Sequence, residues 1–288
     1  MRFDYRVTVE DAGRRAGRLA AEKFRLSQHD LAYLKQTNGL LADGNPIRQI
    51  DRVSAGMLLS ICLPDPVPST SLPITFSLVY EDEVMRVIDK PAGIATMASM
   101  RPGGDSIESE YTSLYGDFRP VNRLDKGTGG LMVCATTGYY QHLLSEQLHS
   151  DCFIREYLAV VEGRMSSETG CIDLPIGHVP GSNNLRKIDL EGKPSCTFYR
   201  VLDSGNNRTL LRLRLMTGRT HQIRVHLSGI GHPICGDHLY GSPLPKYLDS
   251  FALHSAYLFI RHPLSQEMMF FKSTPDQRFL QLLDRSLF

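Results

Sequence analysis

Short segments with strand-like alternation recur along the second, larger part of the chain. In the segment 209–215 (TLLRLRL), apolar and polar side chains alternate as expected for an antiparallel strand with one buried face. The apolar pattern predicts further strands at 76–80, 84–88, 130–135, 157–161 and 197–202. Helical spacing predicts helices at 139–149 and 220–228. Because strands and helices do not alternate regularly, the pattern favours an α+β fold with a mixed or antiparallel sheet over a doubly wound fold.

The beginning of the chain predicts a separate small domain. The segment 27–30 (SQHD) resembles a capping box that opens a helix, and Asp43-Gly44 predicts the turn of a hairpin between residues 40 and 59. A segment with four prolines and several Ser/Thr residues follows and is typical of a linker. The predicted organisation is a small domain at 1–65, a linker at 66–75 and a second domain at 76–288.

Composition and charge narrow the class of protein. Of the 288 residues, 42% are hydrophobic and 22% are charged, which is typical of a globular protein with a real core. The net charge is only +1, so any attraction to nucleic acid must come from local clusters of charge. No stretch approaches the roughly 20 apolar residues that span a bilayer. The six cysteines include no C-x-x-C pair, which argues against a disulfide framework and a cysteine zinc site. We therefore expect a cytoplasmic protein that does not associate with membranes.

The segment 122–130 (NRLDKGTGG) is the first candidate for chemistry. It places Arg123 and Asp125 directly before a glycine-rich bend and the predicted strand 130–135. A rigid sheet commonly presents reactive groups on such loops. Taken alone, however, the segment is more simply interpreted as an ordinary turn, and its glycine spacing differs from that of a phosphate-binding P-loop.

Two further segments carry candidate side chains. In 217–227 (TGRTHQIRVHL), Thr220 is placed to cap a helix whose N-terminal end would attract anions. In 155–161 (REYLAVV), Tyr157 begins an otherwise apolar strand. A basic surface helix and a buried structural tyrosine are the simpler interpretations of each segment by itself.

Together, these segments resemble the RluA family of pseudouridine synthases. The resemblance rests on NRLD at 122–125, EYLA at 156–159 and the long block at 217–227, with KPAG at 90–93 before them and GHPICGD at 231–237 after them. These motifs are similar to the family's H-R-L-D, K-x-Y-x-A, T-G-R-x-H-Q-I-R-V-H-L, K-P-x-G and G-H-P-I-x-G-D. More loosely, the small domain resembles the S4-like RNA-binding module of many members. Two positions depart from the family pattern: Asn122 replaces the usual His, and Gly129 stands where Ser is common.

The resemblance implies a function and roles for individual residues. It implies that Asp125 is the catalytic carboxylate, that Arg224 pairs with it and keeps it ionised, and that Tyr157 lies against the uracil. Whether Asp125 attacks C1′ or acts on a neighbouring sugar proton stays open. The residues expected to contact RNA are Arg123, Arg219, His221 and Gln222. The substrate is RNA, with ribosomal RNA favoured over tRNA, and the enzyme is expected to be a monomer. Because the reaction exchanges no electrons and loses no group, we expect neither a cofactor nor a metal.

Three other functions fit parts of the sequence. A zinc enzyme is one alternative, because four histidines lie close together in the sequence: His221, His226, His232 and His238. Their spacing places successive histidines on no common helical face, and H-E-x-x-H is absent. An RNA-binding protein without catalysis is the stronger alternative, since a fold can keep its binding surface after losing its chemistry. An RNA glycosidase that cleaves the same bond without rejoining it is chemically adjacent.

Overall fold

The computed structural model describes residues 2–24, 26, 28–63, 75–98, 106–182, 185–242, 250–276, 279 and 281–282. The chain divides into two compact units, Met1–Ser71 and Leu72–Phe288. Ser27 of the predicted capping box and nearly all of the predicted linker 66–75 lie outside the described residues. No helix among the described residues is long and apolar enough to cross a membrane.

The first unit combines two helices with a small antiparallel sheet. Its elements are β1 (Arg2–Arg6), α1 (Ala16–Lys23), α2 (Gln28–Thr37), β2 (Leu40–Ala42), β3 (Asn45–Pro46) and β4 (Leu58–Cys62). The strand order is β1-β4-β2-β3. Leu19, Leu34 and Leu59 are fully buried between the helices and the sheet. Burial of these apolar side chains supplies most of the driving force for such a small fold.

The predicted hairpin between residues 40 and 59 is correct in its turn and wrong in its extent. Asp43 and Gly44 both have positive φ, 48° and 84°, as the tight turn between β2 and β3 requires. However, β3 ends at Pro46, which has no N–H to extend the ladder. Instead, β4 pairs with β2 along its other edge.

The second unit is built on a large sheet. Its strands are β5 (Ser77–Glu81), β6 (Met85–Lys90), β7 (Gly129–Ala135), β8 (Phe153–Glu162), β9 (Thr169–Asp173), β10 (Ile176–His178), β11 (Arg186–Ile188), β12 (Cys196–Gly205), β13 (Arg208–Leu215), β14 (Leu253–Arg261) and β15 (Met268–Lys272). Its helices are α3 (Ile107–Tyr115), α4 (Gly138–Glu146) and α5 (Gln222–Gly229), with 3-10 turns at Gln147–His149 and His238–Tyr240. All six strands predicted from the apolar pattern are therefore confirmed, with ends shifted by a few residues.

The sheet is mixed, which confirms the predicted α+β class. Among the described residues its order is β5-β6-β7-β14-β8-β13-β12-β9, with β15 added to β14 and β10-β11 forming a separate pair. β7 and β14 run parallel, whereas β8 is antiparallel to both of its neighbours. Every residue of β7 is buried. Its side chains alternate between two apolar clusters, as a central strand with both faces covered requires.

Both predicted helices are present, but the predicted cap of the second is wrong. α4 begins after Thr137, whose side chain accepts a hydrogen bond from the Tyr140 N–H. α5 begins at Gln222, and its N-cap is His221, which has a left-handed backbone with φ of 59°. Thr220 therefore lies two residues before the first residue of the helix. The left-handed residue turns the chain sharply, so His221 itself stands at the helix N-terminus.

Candidate active site

A cleft of about 530 Å³ brings the predicted catalytic side chains together. Its lining includes Asp125 from the loop before β7, Tyr157 from β8 and Arg224 from α5. In the sheet, Tyr157 is paired with Leu213 on one side and Ser255 on the other, so these three side chains share one face. Three elements that are distant in sequence thus meet in one concave site, as ligand sites commonly do.

The loop that carries Asp125 is fixed by bonds to its backbone. The Thr96 hydroxyl donates to the Leu124 carbonyl at 2.7 Å, and the Thr128 N–H donates to the Asp125 carbonyl at 3.0 Å. Leu124 is buried beside these bonds. Because the backbone on both sides of Asp125 is held, its carboxylate is presented from a rigid support.

Glycine is required where this loop enters β7. Gly130 has φ of 106°, and a Cβ there would lie 2.2 Å from the Ser255 carbonyl oxygen. Gly129 is less restricted, with a Cβ position 3.2 Å from the Ala92 nitrogen and 3.3 Å from the His254 ring. A side chain at position 129 would therefore contact the Ala92 backbone and the His254 ring, and glycine leaves this space open.

Arg224 is held between two carboxylates. Its Nη1 donates to Asp125 Oδ2 at 3.0 Å, while its Nε and Nη2 donate to the two oxygens of Asp237 at 2.6 and 2.9 Å. Arg224 is 5% exposed and Asp237 is 1% exposed. Burial alone would lower the pKa of Arg224, but the hydrogen bonds and charge of Asp237, together with the charge of Asp125, raise it above its ordinary value. The guanidinium is thus a permanent cation aimed at Asp125.

Aromatic rings enclose the same guanidinium. Its central carbon lies 4.4 Å from the centre of the Phe251 ring and 4.9 Å from that of Tyr240. Cations are attracted to ring faces at such distances. With two carboxylates and two rings around it, Arg224 has little freedom to change its position relative to Asp125.

Tyr157 is 5% exposed and lies in the floor of the cleft. Burial raises the pKa of its phenol, although the nearby Arg155 opposes that rise. The hydroxyl is therefore protonated at neutral pH. Its ring offers a flat apolar surface, and its O–H is a poor base for a carbon-bound proton.

His221 contributes a neutral imidazole to the rim of the site. Burial lowers its pKa, against the opposing effect of Asp125. Its Nδ1 lies 2.8 Å from the Tyr240 hydroxyl, which accepts from the Arg186 N–H at 3.1 Å, and its Nε2 lies 3.8 Å from Asp125 Oδ2. If the hydroxyl donates to Nδ1, the single ring proton of neutral His221 sits on Nε2. This tautomer directs an N–H at Asp125.

Gln222 does not have the role expected for it. Its side-chain oxygen accepts from the Thr217 hydroxyl and the Arg219 N–H, and its nitrogen donates to the Cys196 carbonyl and the Thr197 hydroxyl. These four bonds use the full capacity of an amide. Gln222 is also 2% exposed. It therefore fastens the Thr217–Arg219 turn to β12 and has no donor or acceptor left for RNA.

The remaining predicted RNA contacts are accessible. Arg123 is exposed, and no described residue forms a hydrogen bond or ion pair with it. Arg219 is half-buried at the cleft wall, where its Nε donates to the Pro194 carbonyl at 3.3 Å. Both residues line the cleft, Arg123 from the loop before β7 and Arg219 from the turn before α5.

Asn122 explains how the first departure from the family pattern is accommodated. Its side-chain oxygen accepts a hydrogen bond from the Val133 N–H at 2.9 Å, which fastens the loop to β7. Asn122 is 6% exposed, and its Nδ2 has no hydrogen-bond partner among the described residues. The amide therefore performs an anchoring function and leaves one buried donor unsatisfied.

Two residues of the site were missed by the sequence reasoning about individual roles. Asp237 clamps Arg224, and Lys90, 1% exposed, donates to the carbonyls of Pro91, Ile94 and Lys126. Lys90 thereby ties its own turn to the loop of Asp125. Both residues fall inside recognised motifs, GHPICGD and KPAG, so the signal was present. Their partners were not visible, because pairing across the fold leaves no local pattern.

The histidines do not converge as a zinc site would. No group of three or more His, Cys, Asp or Glu side chains among the described residues is arranged to hold a metal ion. His226 lies within hydrogen-bond distance of the Thr197 hydroxyl and the Leu174 carbonyl, and His232 of the Glu162 carbonyl. These imidazoles are engaged in separate structural contacts.

The residues 84–229 match the family model for RNA pseudouridylate synthase. The match spans half of the chain and contains Asp125, Tyr157 and Arg224. The chain belongs to the RNA pseudouridine synthase family. It is therefore an isomerase that acts on RNA, as the resemblance predicted.

Relatives of this pseudouridine synthase agree with that assignment and confirm the predicted RluA type. It is 35% identical over 237 residues to an uncharacterized RNA pseudouridine synthase of Bacillus subtilis, YjbO, covering 79% of this chain and 83% of that one. It is 37% identical over 235 residues to ribosomal large subunit pseudouridine synthase D of Haemophilus influenzae, covering 73% and 71% of the two chains. The solved structure of human RNA Pseudouridylate Synthase Domain Containing 1 matches with a TM-score of 0.60 and 27% identity, over 73% of this chain and 86% of the human one. The S4-like character of the first unit stays a prediction.

Proposed function

We propose that this pseudouridine synthase isomerises uridine in large-subunit ribosomal RNA, with Asp125 as its catalytic carboxylate. The supporting observation is the 3.0 Å contact between Asp125 and Arg224 in a cleft floored by Tyr157. The Asp125 side chain is 27% exposed, whereas the Arg224 side chain is 6% exposed. Asp125 is thus the member of the pair that a substrate can reach.

The reaction breaks the bond from uracil N1 to C1′, turns the base and joins C5 to C1′. C5 loses a proton and N1 gains one, so the atoms balance without a co-reactant. An ionised Asp125 either attacks C1′ or acts on a neighbouring sugar proton, as carboxylates do in other glycosidic chemistry. Arg224 keeps the carboxylate ionised and oriented. Tyr157 holds the uracil by stacking while it rotates.

RNA enters this scheme through the free basic side chains of the cleft. Arg123 is placed to occupy the space that a flipped uridine leaves in the RNA. Flipping the uridine out requires unstacking it, which costs a few kcal/mol. Arg219 faces the RNA backbone, and His221 faces the sugar through its Nε2. Gln222, which we had expected among these contacts, instead holds the Arg219 turn in place.

The first unit adds a second basic surface. The exposed side chains of Arg15, Arg18 and Arg52 line one concave region of that unit. We expect it to bind RNA as an S4-like module does. Replacing the three arginines by glutamine should weaken RNA binding and lower its salt dependence by about 0.7–0.9 in log–log slope for each lost phosphate contact. An unchanged slope would remove the first unit from the RNA interface.

Ribosomal RNA is preferred as the substrate because of the named relatives. Several are called ribosomal large subunit pseudouridine synthase D, among them those of Haemophilus influenzae and Vibrio vulnificus. Unmodified transcripts of large-subunit RNA and of tRNA, offered in equal amounts, separate the two substrate classes. Modification of tRNA alone would contradict the proposal.

The decisive experiment measures tritium released from RNA labelled at uracil C5. The native enzyme should release it, and Asp125→Asn should reduce turnover by at least about 10⁴-fold while leaving the fold intact. Asp203→Asn is a matched control, because Asp203 is exposed on β12 away from the cleft. Retained turnover by Asp125→Asn would refute the catalytic assignment. Binding of RNA without tritium release would favour a non-catalytic protein, and free uracil would reveal a glycosidase.

A further inference from the structure

Arg155 is a second buried arginine in the cleft, and the reaction scheme does not use it. It lies on β8 two residues before Tyr157, so the two side chains point to the same face of the strand. Arg155 is 7% exposed and lines the cleft together with Asp125 and Arg219. A positive charge that is buried in this way is expected to have an electrostatic partner.

Nothing in the described part of the chain neutralises that charge. Its Nη2 donates to the Leu148 carbonyl at 3.2 Å, its Nε is buried without a partner, and no described carboxylate forms an ion pair with it. The Phe153 ring lies 5.9 Å away, at the limit of a cation–ring attraction. A buried lysine can shed its proton, but a buried arginine cannot. Arg155 therefore carries a desolvation cost that the free enzyme does not offset.

The turn opposite Arg155 leaves room for an anion. A Cβ at Gly218 would lie 3.2 Å from Arg155 Nη1, so glycine keeps the space beside this nitrogen free of a side chain. No described residue accepts a hydrogen bond from Nη1, and the next residue along the turn is Arg219. An unpaired donor, a second arginine and a glycine without a side chain thus lie together in the lining of the cleft.

We propose that Arg155 forms an anion-binding subsite that takes a phosphodiester of the RNA next to the uridine being isomerised. The guanidinium fork matches the geometry of phosphate oxygens, and a phosphate would supply the negative charge that Arg155 lacks. This inference rests on the proposed function for the identity of the anion. Arg155 lies two residues before Tyr157 on the same face of β8. A phosphate bound to Arg155 would therefore lie beside the base that stacks on Tyr157. Arg155 is then a binding residue whose contacts form only in the complex.

Inorganic phosphate tests the subsite without any RNA. At constant ionic strength, phosphate should raise the melting temperature of the native enzyme above that in chloride, and Arg155→Met should abolish the increase. Without phosphate, Arg155→Met should melt at the same or a higher temperature, because the unpaired charge is gone. Arg200→Met is the matched control, since Arg200 is exposed on the opposite face of the sheet and should keep the full response. A large loss of stability, or an undiminished phosphate response, in Arg155→Met would overturn the proposal.

RNA with single neutral linkages then identifies the anion. In the RNA that releases tritium, methylphosphonates are placed one at a time around the target uridine, and affinity is measured. One linkage should weaken binding to the native enzyme by about 10- to 100-fold, and Arg155→Met should lose as much with the normal RNA and nothing further at that linkage. If the neutral linkage weakens binding to Arg155→Met as much as it weakens binding to the native enzyme, so that the two losses add, the assignment is overturned. If no RNA releases tritium, the proposed function fails, whereas the phosphate titration still decides whether Arg155 binds an anion.

Discussion

The cleft contains two buried arginines that differ in their electrostatic surroundings. Arg224 and Arg155 are 5% and 7% exposed, so both have lost nearly all of their water. Arg224 is compensated by Asp237 and Asp125, whereas Arg155 has one backbone carbonyl. The two arginines are thus about equally buried, but among the described residues only Arg224 has carboxylates beside it.

The difference separates two uses of a cation in an enzyme. At the Arg224 end, the protein completes the ion pairs itself, so the geometry around Asp125 exists before any substrate arrives. Such preorganisation avoids rearrangement during the reaction. At the Arg155 end, the electrostatic partner is missing, so the free energy of pairing is released only when an anion enters. The first end favours turnover, and the second favours binding.

Replacing each arginine by methionine tests this contrast most strongly. Arg224→Met leaves Asp125 and the buried Asp237 without their cation, so the free energy of unfolding should fall by about 3–5 kcal/mol and tritium release should be lost. Arg155→Met should retain its stability. Chemical denaturation of both variants measures the difference. Equal losses in the two variants would mean that the two ends of the cleft do not differ.

A smaller change isolates the clamp on Arg224. Asp237→Asn keeps the shape of the side chain but removes one charge, leaving Arg224 with Asp125 as its only described carboxylate. We expect a loss of about 1–3 kcal/mol in unfolding free energy and a lower kcat with little change in KM, because Asp125 is then held less firmly. Denaturation and steady-state tritium release provide the two values. A change in KM alone would assign Asp237 to RNA binding instead.

Lys90 sharpens the comparison because, unlike an arginine, it can shed its charge. Burial lowers its pKa from 10.5 to about 8, while Asp125 opposes the shift. Between these two pKa values the unfolded chain binds more protons than the folded one, so the free energy of unfolding rises with pH through that window, by about 3 kcal/mol. The titration of side-chain carbons in labelled lysine should show one resonance moving near pH 8. If every lysine titrates near 10.5, Lys90 is compensated as fully as Arg224.

The finest test gives Arg155 the partner it lacks. Gly218→Asp would place a carboxylate beside Nη1, and Gly218→Asn is its uncharged counterpart of equal size. The Asp variant should be more stable than the Asn variant by about 1 kcal/mol and should bind RNA more weakly, since the new carboxylate occupies the place of the phosphate. Melting curves and RNA titrations compare the pair. Tighter RNA binding by the Asp variant would contradict the phosphate site.

Local sequence patterns were sufficient to predict individual secondary-structure elements and motifs. The alternation in TLLRLRL predicted β13, whose Leu211 and Leu213 are buried while Arg212 and Arg214 point outward. The motif order predicted that Asp125, Tyr157 and Arg224 belong to one site, and the structure brings them together. The pattern did not reveal α3, a nine-residue helix with only Ile107 and Tyr111 as its buried apolar residues.

Other features could not be read from the sequence because they exist only after folding. The left-handed backbone of His221 moved the helix start past Thr220, which has the ordinary residue type for a cap. The saturation of Gln222 depends on β12, about 25 residues away along the chain. Likewise, the isolation of Arg155 is the absence of a partner in three dimensions. No motif contains such information.

The position of β14 makes the site depend on a strand that is synthesised late. This strand lies between β7 and β8 in the sheet, although it is made about a hundred residues after them. The loop of Asp125 precedes β7 and Tyr157 lies on β8, so residues 253–261 supply the strand that joins the two supports of the cleft. We therefore expect a nascent chain to become active only after this strand has been added to the sheet.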